Sequence, residues 1–166
     1  MADKVTAEKI MLGYGVVTVG LIPVGLTRGG SSFVIERKFR NIEADGDYGP
    51  VKGRVILDGE TAKLEVNALE LFNSEDLIKY YPAMAVTLGK LTSTLEVVEG
   101  DYNDVKWVGK TKDGKAVTIN VENALNLDNL EWKLEDKNEV IPKIGFAAHY
   151  DEATRTTAPW NVEFAV

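Results

Sequence analysis

The stretch Arg54-Val55-Ile56-Leu57-Asp58-Gly59-Glu60-Thr61-Ala62-Lys63-Leu64-Glu65-Val66-Asn67-Ala68-Leu69 carries the clearest structural signal in the chain. From Ala62 onward it alternates, with Ala62, Leu64, Val66 and Ala68 on one face and Lys63, Glu65 and Asn67 on the other. A period of two belongs to a half-buried β-strand, because successive side chains point to opposite sides of the pleat. Arg54–Leu57 reads as a second arm, and Asp58-Gly59 is a turn dipeptide, so the stretch predicts a hairpin.

Immediately upstream, Ser32–Phe39 also alternates, with Phe33, Ile35 and Phe39 opposite Glu36, Lys38 and Arg40. Arg37 breaks the pattern by falling on the apolar face. Between these strands Arg40–Gly53 reads as a loop of about 14 residues, where hairpins usually need two to five. Asp45, Gly46, Asp47, Gly49 and Pro50 mark it as irregular. Ile42, Tyr48 and Val51 supply apolar anchors among Glu43, Asp45, Asp47 and Lys52, a composition suited to ordering against a partner subunit. A flexible, solvated loop is the alternative.

Further upstream, Leu12–Val19 and Ile22–Leu26 read as two strands around a Gly20-Leu21 turn. Ile10–Leu26 carries no charge, but Gly13, Gly15, Gly20, Pro23 and Gly25 make it a poor membrane helix. Met1–Lys9 contains Asp3 and Glu8 beside its lysines, and Leu26-Thr27-Arg28 offers no cleavage site, so no secretion signal is expected. The expectation is a soluble protein made in the cytoplasm.

Downstream, Ser74 caps a predicted helix with Glu75 and Asp76 in its first turn and Leu77, Ile78 and Tyr81 at helical spacing before Pro82. So short a helix needs a sheet to pack on. Met84–Leu88, Thr92–Val98, Val105–Lys110, Ala116–Val121, Leu130–Leu134, Val140–Tyr150 and Trp160–Val166 are strand candidates. Asp113-Gly114 forms a hairpin turn, and Pro142 demotes its strand to an edge. About ten strands and one helix predict an all-β fold with one short α-helix, a sandwich or barrel, with residues 1–166 as one domain. Gly46-Asp47-Tyr48, Asp58-Gly59 and Asn67-Ala68-Leu69-Glu70-Leu71 recur in order as Gly100-Asp101-Tyr102, Asp113-Gly114 and Asn123-Ala124-Leu125-Asn126-Leu127. A duplicated half would give this pattern, but so would hairpins that reuse Asp-Gly, and the second reading is favoured.

The composition removes whole classes of function. The 166 residues carry a net charge of −7, which opposes nucleic-acid or anionic-membrane binding. The chain has no cysteine and a single histidine, His149, so thiol chemistry, Cys-based zinc sites and two-His metal sites are excluded. His149 has no Ser or Asp at triad spacing. Gly13-Tyr14-Gly15 lacks the third glycine of a dinucleotide fingerprint. Glu43, Asp45 and Asp47 lack the closing Glu of a calcium loop, because Ile56 holds that position. Arg28-Gly29-Gly30 and Arg37-Lys38-Arg40 are too sparse for a nucleic-acid footprint. No catalytic, cofactor-binding or metal residue is expected. A structural or binding role remains.

The run Gly25-Leu26-Thr27-Arg28-Gly29-Gly30-Ser31-Ser32-Phe33, continuing through Glu36-Arg37 and Arg40-Asn41-Ile42-Glu43-Ala44-Asp45-Gly46-Asp47-Tyr48-Gly49-Pro50-Val51-Lys52-Gly53, resembles phage and prophage major tail tube proteins of Gram-positive hosts. Gly100-Asp101-Tyr102-Asn103, Trp107, Lys112-Asp113-Gly114-Lys115, Val121-Glu122-Asn123-Ala124 and Arg155-Thr156-Thr157-Ala158-Pro159-Trp160 are similar to the same group. The resemblance runs from Gly13 to Phe164, and the stretch before Gly13 departs from it. It implies a β-sandwich or barrel-like tail tube fold with a flanking helix, closing into hexameric rings that stack into the DNA conduit of a virion tail. It also implies an N-terminal arm over residues 1–12 and a ring-bridging loop over 40–53, containing Ile42, Glu43, Asp45, Asp47, Tyr48, Val51 and Lys52. The partners implied are further copies of the chain, a tape measure and other tail proteins, assembled in the host cytoplasm, with DNA passing unbound and no cofactor. Six copies at −7 would carry about −42, a field that keeps DNA off the wall if the acids face inward. The second reading is a carbohydrate- or protein-binding module of a baseplate or tail tip, with Trp107, Trp132 and Trp160 as a sugar platform.

Overall fold

The computed structural model of the chain describes residues 10–69 and 74–166. Among these it contains ten strands and one α-helix: β1 (Met11–Val19), β2 (Ile22–Pro23), β3 (Thr27–Asn41), β4 (Val55–Ala68), α1 (Ser74–Tyr80), β5 (Met84–Thr87), β6 (Lys90–Ser93), β7 (Asn103–Thr111), β8 (Ala116–Asn126), β9 (Lys143–Ala147) and β10 (Trp160–Phe164). The fold is therefore all-β with a single short helix. Eight strands form one antiparallel sheet in the order β2-β1-β7-β8-β9-β4-β3, with β10 joining on β8, while β5 and β6 pair separately.

β8 connects the two halves of that sheet. Its first part, Ala116–Val121, pairs with β7, and Val117–Val121 also pairs with β10; its last residues, Leu125 and Asn126, pair with β9. Both halves feed one core. Val17, Val19, Val105, Trp107, Val117, Ile119 and Val121 come from one side, and Ala62, Leu64, Val66, Ile144 and Phe146 from the other. Trp107 is accommodated by the cross-strand pair Gly15–Gly109, since a Cβ on either glycine would stand within 2.5 Å of the indole. Leu77 and Tyr80 of α1 enter the same core, and Asn126 donates to the Tyr80 carbonyl at 2.8 Å. The helix is thus held by packing and a buried side-chain bond, as its length requires.

Several expectations are corrected. Asp58-Gly59 is not a turn: β4 runs straight through it, and β3 and β4 are the two arms of one long hairpin whose connection is 42–54. Asp58 is the extra residue of a bulge between the pairs Lys38–Gly59 and Phe39–Leu57, a role open to a turn-forming residue without any reversal of the chain. Leu130–Leu134 forms no strand, because Leu130 and Leu134 are exposed and find no core. The strand expected at Thr92–Val98 lies instead at Lys90–Ser93 (β6), sharing only Thr92 and Ser93, while Ile22–Leu26 shortens to Ile22–Pro23 and Val140–Tyr150 to Lys143–Ala147. β9 is not an edge but lies between β8 and β4, with Pro142 just before it, where its carbonyl accepts from Ala68 N–H. The internal echo joins unlike elements, since Asp58-Gly59 sits in mid-strand while Asp113-Gly114 turns the β7–β8 hairpin. Residues 1–9 of the expected arm and 70–71 of the echo lie outside the described residues.

Candidate functional site

The β3–β4 hairpin has a covered root and an uncovered tip. At the root, β9 pairs with Lys63–Asn67, and Phe33, Ile35, Ala62, Leu64 and Val66 face the core. Beyond Glu36–Thr61 the two arms pair only with each other for five further pairs, out to Asn41–Val55. At about 3.3 Å per residue this ribbon projects roughly 17 Å before the loop begins. An isolated two-stranded ribbon is marginal in water.

The face that is apolar in the core continues along the ribbon. After Phe33 and Ile35 the β3 row reaches Arg37 and then Phe39, while β4 contributes Glu60, Leu57 and Val55. Arg37, the exception in the sequence pattern, marks where the core ends. Its Nε donates to Glu60 Oε2 at 3.1 Å, and the other Glu60 oxygen accepts from Trp160 Nε1 at 2.6 Å. Tyr150 Oη donates to the Glu60 carbonyl, and the Trp160 ring stacks obliquely on Phe33. Past this polar clamp Phe39 is 59% exposed, Val55 54% and Leu57 47%. On the opposite face Ile56 and Ile42 are also exposed, and Arg40 pairs with the bulge carboxylate of Asp58 at 2.9 Å.

The loop is built around Asp47. Its Oδ2 accepts from Ala44 N–H at 2.9 Å and from Arg54 Nη1 at 2.7 Å, and Asp47 N–H returns a bond to the Ala44 carbonyl. Ile42 N–H donates to the Arg54 carbonyl, and Arg54 N–H to that of Val51, so the neck is closed. Gly46 and Gly53 take φ of 92° and 87°, a region that glycine enters without steric cost. Of the predicted loop residues, Asp47 is spent on this scaffold and Val51 is half-buried. Glu43, Asp45 and Lys52 face solvent, Ile42 is exposed, and Tyr48 stands fully exposed. The sequence reading missed Phe39, Val55, Ile56 and Leu57 as part of the same surface. Their signal was an apolar alternation running beyond Arg37, hidden by the turn assigned at Asp58-Gly59.

On the outward side of the root, Glu65 lies between Lys143 (3.1 Å) and Lys63 (3.4 Å), and Lys63 also meets Asp128 (3.3 Å). The bond from Lys143, with Lys63 second, holds the Glu65 carboxyl below its usual range. Burial works against the charge on Lys63, but Asp128 and Glu65 hold its ammonium above the usual lysine range.

The remaining sequence candidates are not brought together. His149 is half-buried, with Nδ1 3.2 Å from the Asn123 carbonyl and its ring edge-on to Tyr102. Gly13-Tyr14-Gly15 lies in β1 rather than in a phosphate loop. Among the described residues no group of three or more His, Cys, Asp or Glu could hold a metal ion. Trp107 is in the core, so the three tryptophans do not line a common platform. No described helix is long and apolar enough to cross a membrane.

No protein-family model matches the chain. Among solved structures, it is similar over 98% of its length to the whole of a chain from the anti-feeding prophage cap, which terminates the tube of that particle, with a TM-score of 0.54 and 18% identity. It is similar over its full length to the whole of a chain from the sheath–tube complex of an extracellular contractile injection system in its extended state, with a TM-score of 0.55 and 12% identity. Neither is described as a tail tube protein of a Gram-positive host, so the expected host finds no support in these likenesses. What the chain shares with these two assemblies, end to end, is their fold.

Proposed function

We propose that this chain is a non-enzymatic tail tube subunit, a single-domain structural protein that self-assembles into stacked hexameric rings forming a DNA conduit. The observation that carries this reading is the projecting hairpin. A core-facing apolar row continues roughly 17 Å past the protein's own core and ends in a loop ordered by Asp47 and Arg54. Exposing Phe39, Val55 and Leu57 on a two-stranded ribbon is costly for a lone subunit and favourable once a neighbour covers them. Whole-length likeness to chains of a tube-terminating cap and a sheath–tube complex supports the same reading. In it Ile42, Tyr48 and the ribbon residues contact the next subunit or ring, other tail proteins and a tape measure complete the particle, and the protein resides in the virion tail after assembly in the host cytoplasm.

The test is assembly of the purified chain, followed by sedimentation and negative-stain electron microscopy. Rings or tubes at high concentration support the reading, and a monomer at every concentration, with or without a tail-length scaffold, overturns it. The likeness to a tube-terminating cap favours one second reading, a ring that ends a tube. Single rings that never stack would select it.

A further inference from the structure

The β1–β7–β8–β10 half of the sheet is polar along its strand direction. At one end, where β1 turns into β2 and β7 begins, lie Glu99, Asp104, Glu122, Asp151 and Glu152. They line two adjoining grooves that share Tyr102 and Asn123, with Lys106 in one of them and Arg155 paired to Glu152. Leu21 projects from this end, 97% exposed, at the tip of the β1–β2 turn. A leucine so placed contributes nothing to its own subunit's core.

The opposite end of the same strands is the inverse. Lys110, Lys112 and Lys115 cluster at the β7–β8 turn, where among the described residues they face a single acid, Asp113, which accepts from Thr111. Between this turn and β10 lies a cavity of about 350 Å³, with Met11, Ala116, Phe164 and Ala165 in its apolar wall and Thr111, Asp113 and Lys115 at its polar rim. One end of the sheet therefore presents an apolar knob in an acidic surround, and the other an apolar hole flanked by three lysines and Asp113.

We propose that these two ends bind each other between copies of this chain, with Leu21 of one copy entering the Met11–Phe164 cavity of the next and the lysines facing the acidic grooves. The occupant is a second copy because a single subunit carries both complementary halves. Knob and hole lie on opposite ends of the same strands, so the contact is head-to-tail and repeats rather than closing as a dimer. This rests on the tube reading and adds to it a stacking contact that does not involve the hairpin. Steering by opposite charges makes the contact salt-sensitive.

The absence of cysteine allows a direct test on the full chain. Leu21 and Ala165 are separated by about seven residue steps along the sheet, or roughly 20 Å, too far for an internal disulfide. Both positions are exposed, so L21C/A165C should fold. Oxidised after assembly, it should give a ladder of covalent oligomers on a non-reducing gel, whereas each single variant, with one thiol per chain, gives at most a dimer. In parallel, K112E/K115E and E99K/E122K should each assemble at least tenfold less well than the parent, and mixing the two should restore assembly. Tubes from the parent chain with no ladder and no effect of the charge reversals overturn this contact and leave the tube reading standing. A parent chain that forms neither rings nor tubes overturns both.

Discussion

The two halves of β4 are equally strand-like and differ in what covers them. From Ala62 to Ala68 alternate residues are buried against β8, β9 and the helix side of the core, and Leu64 is 1% exposed. From Val55 to Gly59 the same strand, hydrogen-bonded to the same partner strand, has no exposed face covered. Secondary structure is therefore indifferent to the boundary. The boundary is set by Glu60, whose carboxylate joins Arg37 and Trp160 where the subunit's own core stops. An apolar row that outlasts its core is a statement about a neighbour.

The comparison can be broken most strongly at the root. Leu64→Ala should cost about 2–5 kcal/mol through lost burial and a cavity, whereas Leu57→Ala on the tip should change subunit stability by no more than about 0.5 kcal/mol. Denaturant unfolding of the two variants checks this, and equal losses would show that the tip is core after all. At the boundary, Glu60→Ala leaves Arg37 and Trp160 without their acceptor and should cost about 1–3 kcal/mol, with a shift in tryptophan emission. In the loop, Asp47→Ala should leave the melting temperature within a few degrees while sharply increasing proteolytic nicking between residues 42 and 54. The smallest effect is one of pH. The folded Glu65 carboxyl lies below its unfolded value near 4.5, so its contribution is full above that pH and is lost as pH falls through the depressed folded value. Glu65→Gln should flatten the acid limb of a stability–pH profile slightly, since surface pairs contribute little.

Much of the root was legible in sequence. The period-two run Ala62–Ala68, the Gly20-Leu21 and Asp113-Gly114 turns, and the helix between Ser74 and Pro82 all depend on local chemistry, and the structure places them accordingly. The tip was half legible. The long loop and its apolar anchors stood out by length and composition, but Asp58-Gly59 has the same signature in a bulge as in a turn. Only pairing with β3, a non-local fact, distinguishes the two. Leu130–Leu134 failed for the converse reason: an apolar run becomes a strand only where an edge is free to receive it. The carboxylates could not be placed from sequence at all. Glu99, Asp104, Glu122, Asp151 and Glu152 gather at one strand end, while Glu65 and Asp128 on the β4–β9 face are paired with Lys63 and Lys143.

The central claim is that the tip's apolar row is covered by another copy. Sedimentation velocity and negative-stain microscopy of the parent chain beside Phe39→Ser/Leu57→Ser, at matched concentration and with folding checked by circular dichroism, test it most directly. The account predicts rings or tubes for the parent and a folded, monomeric variant. Equal assembly by both, or a parent that stays monomeric throughout, would contradict it.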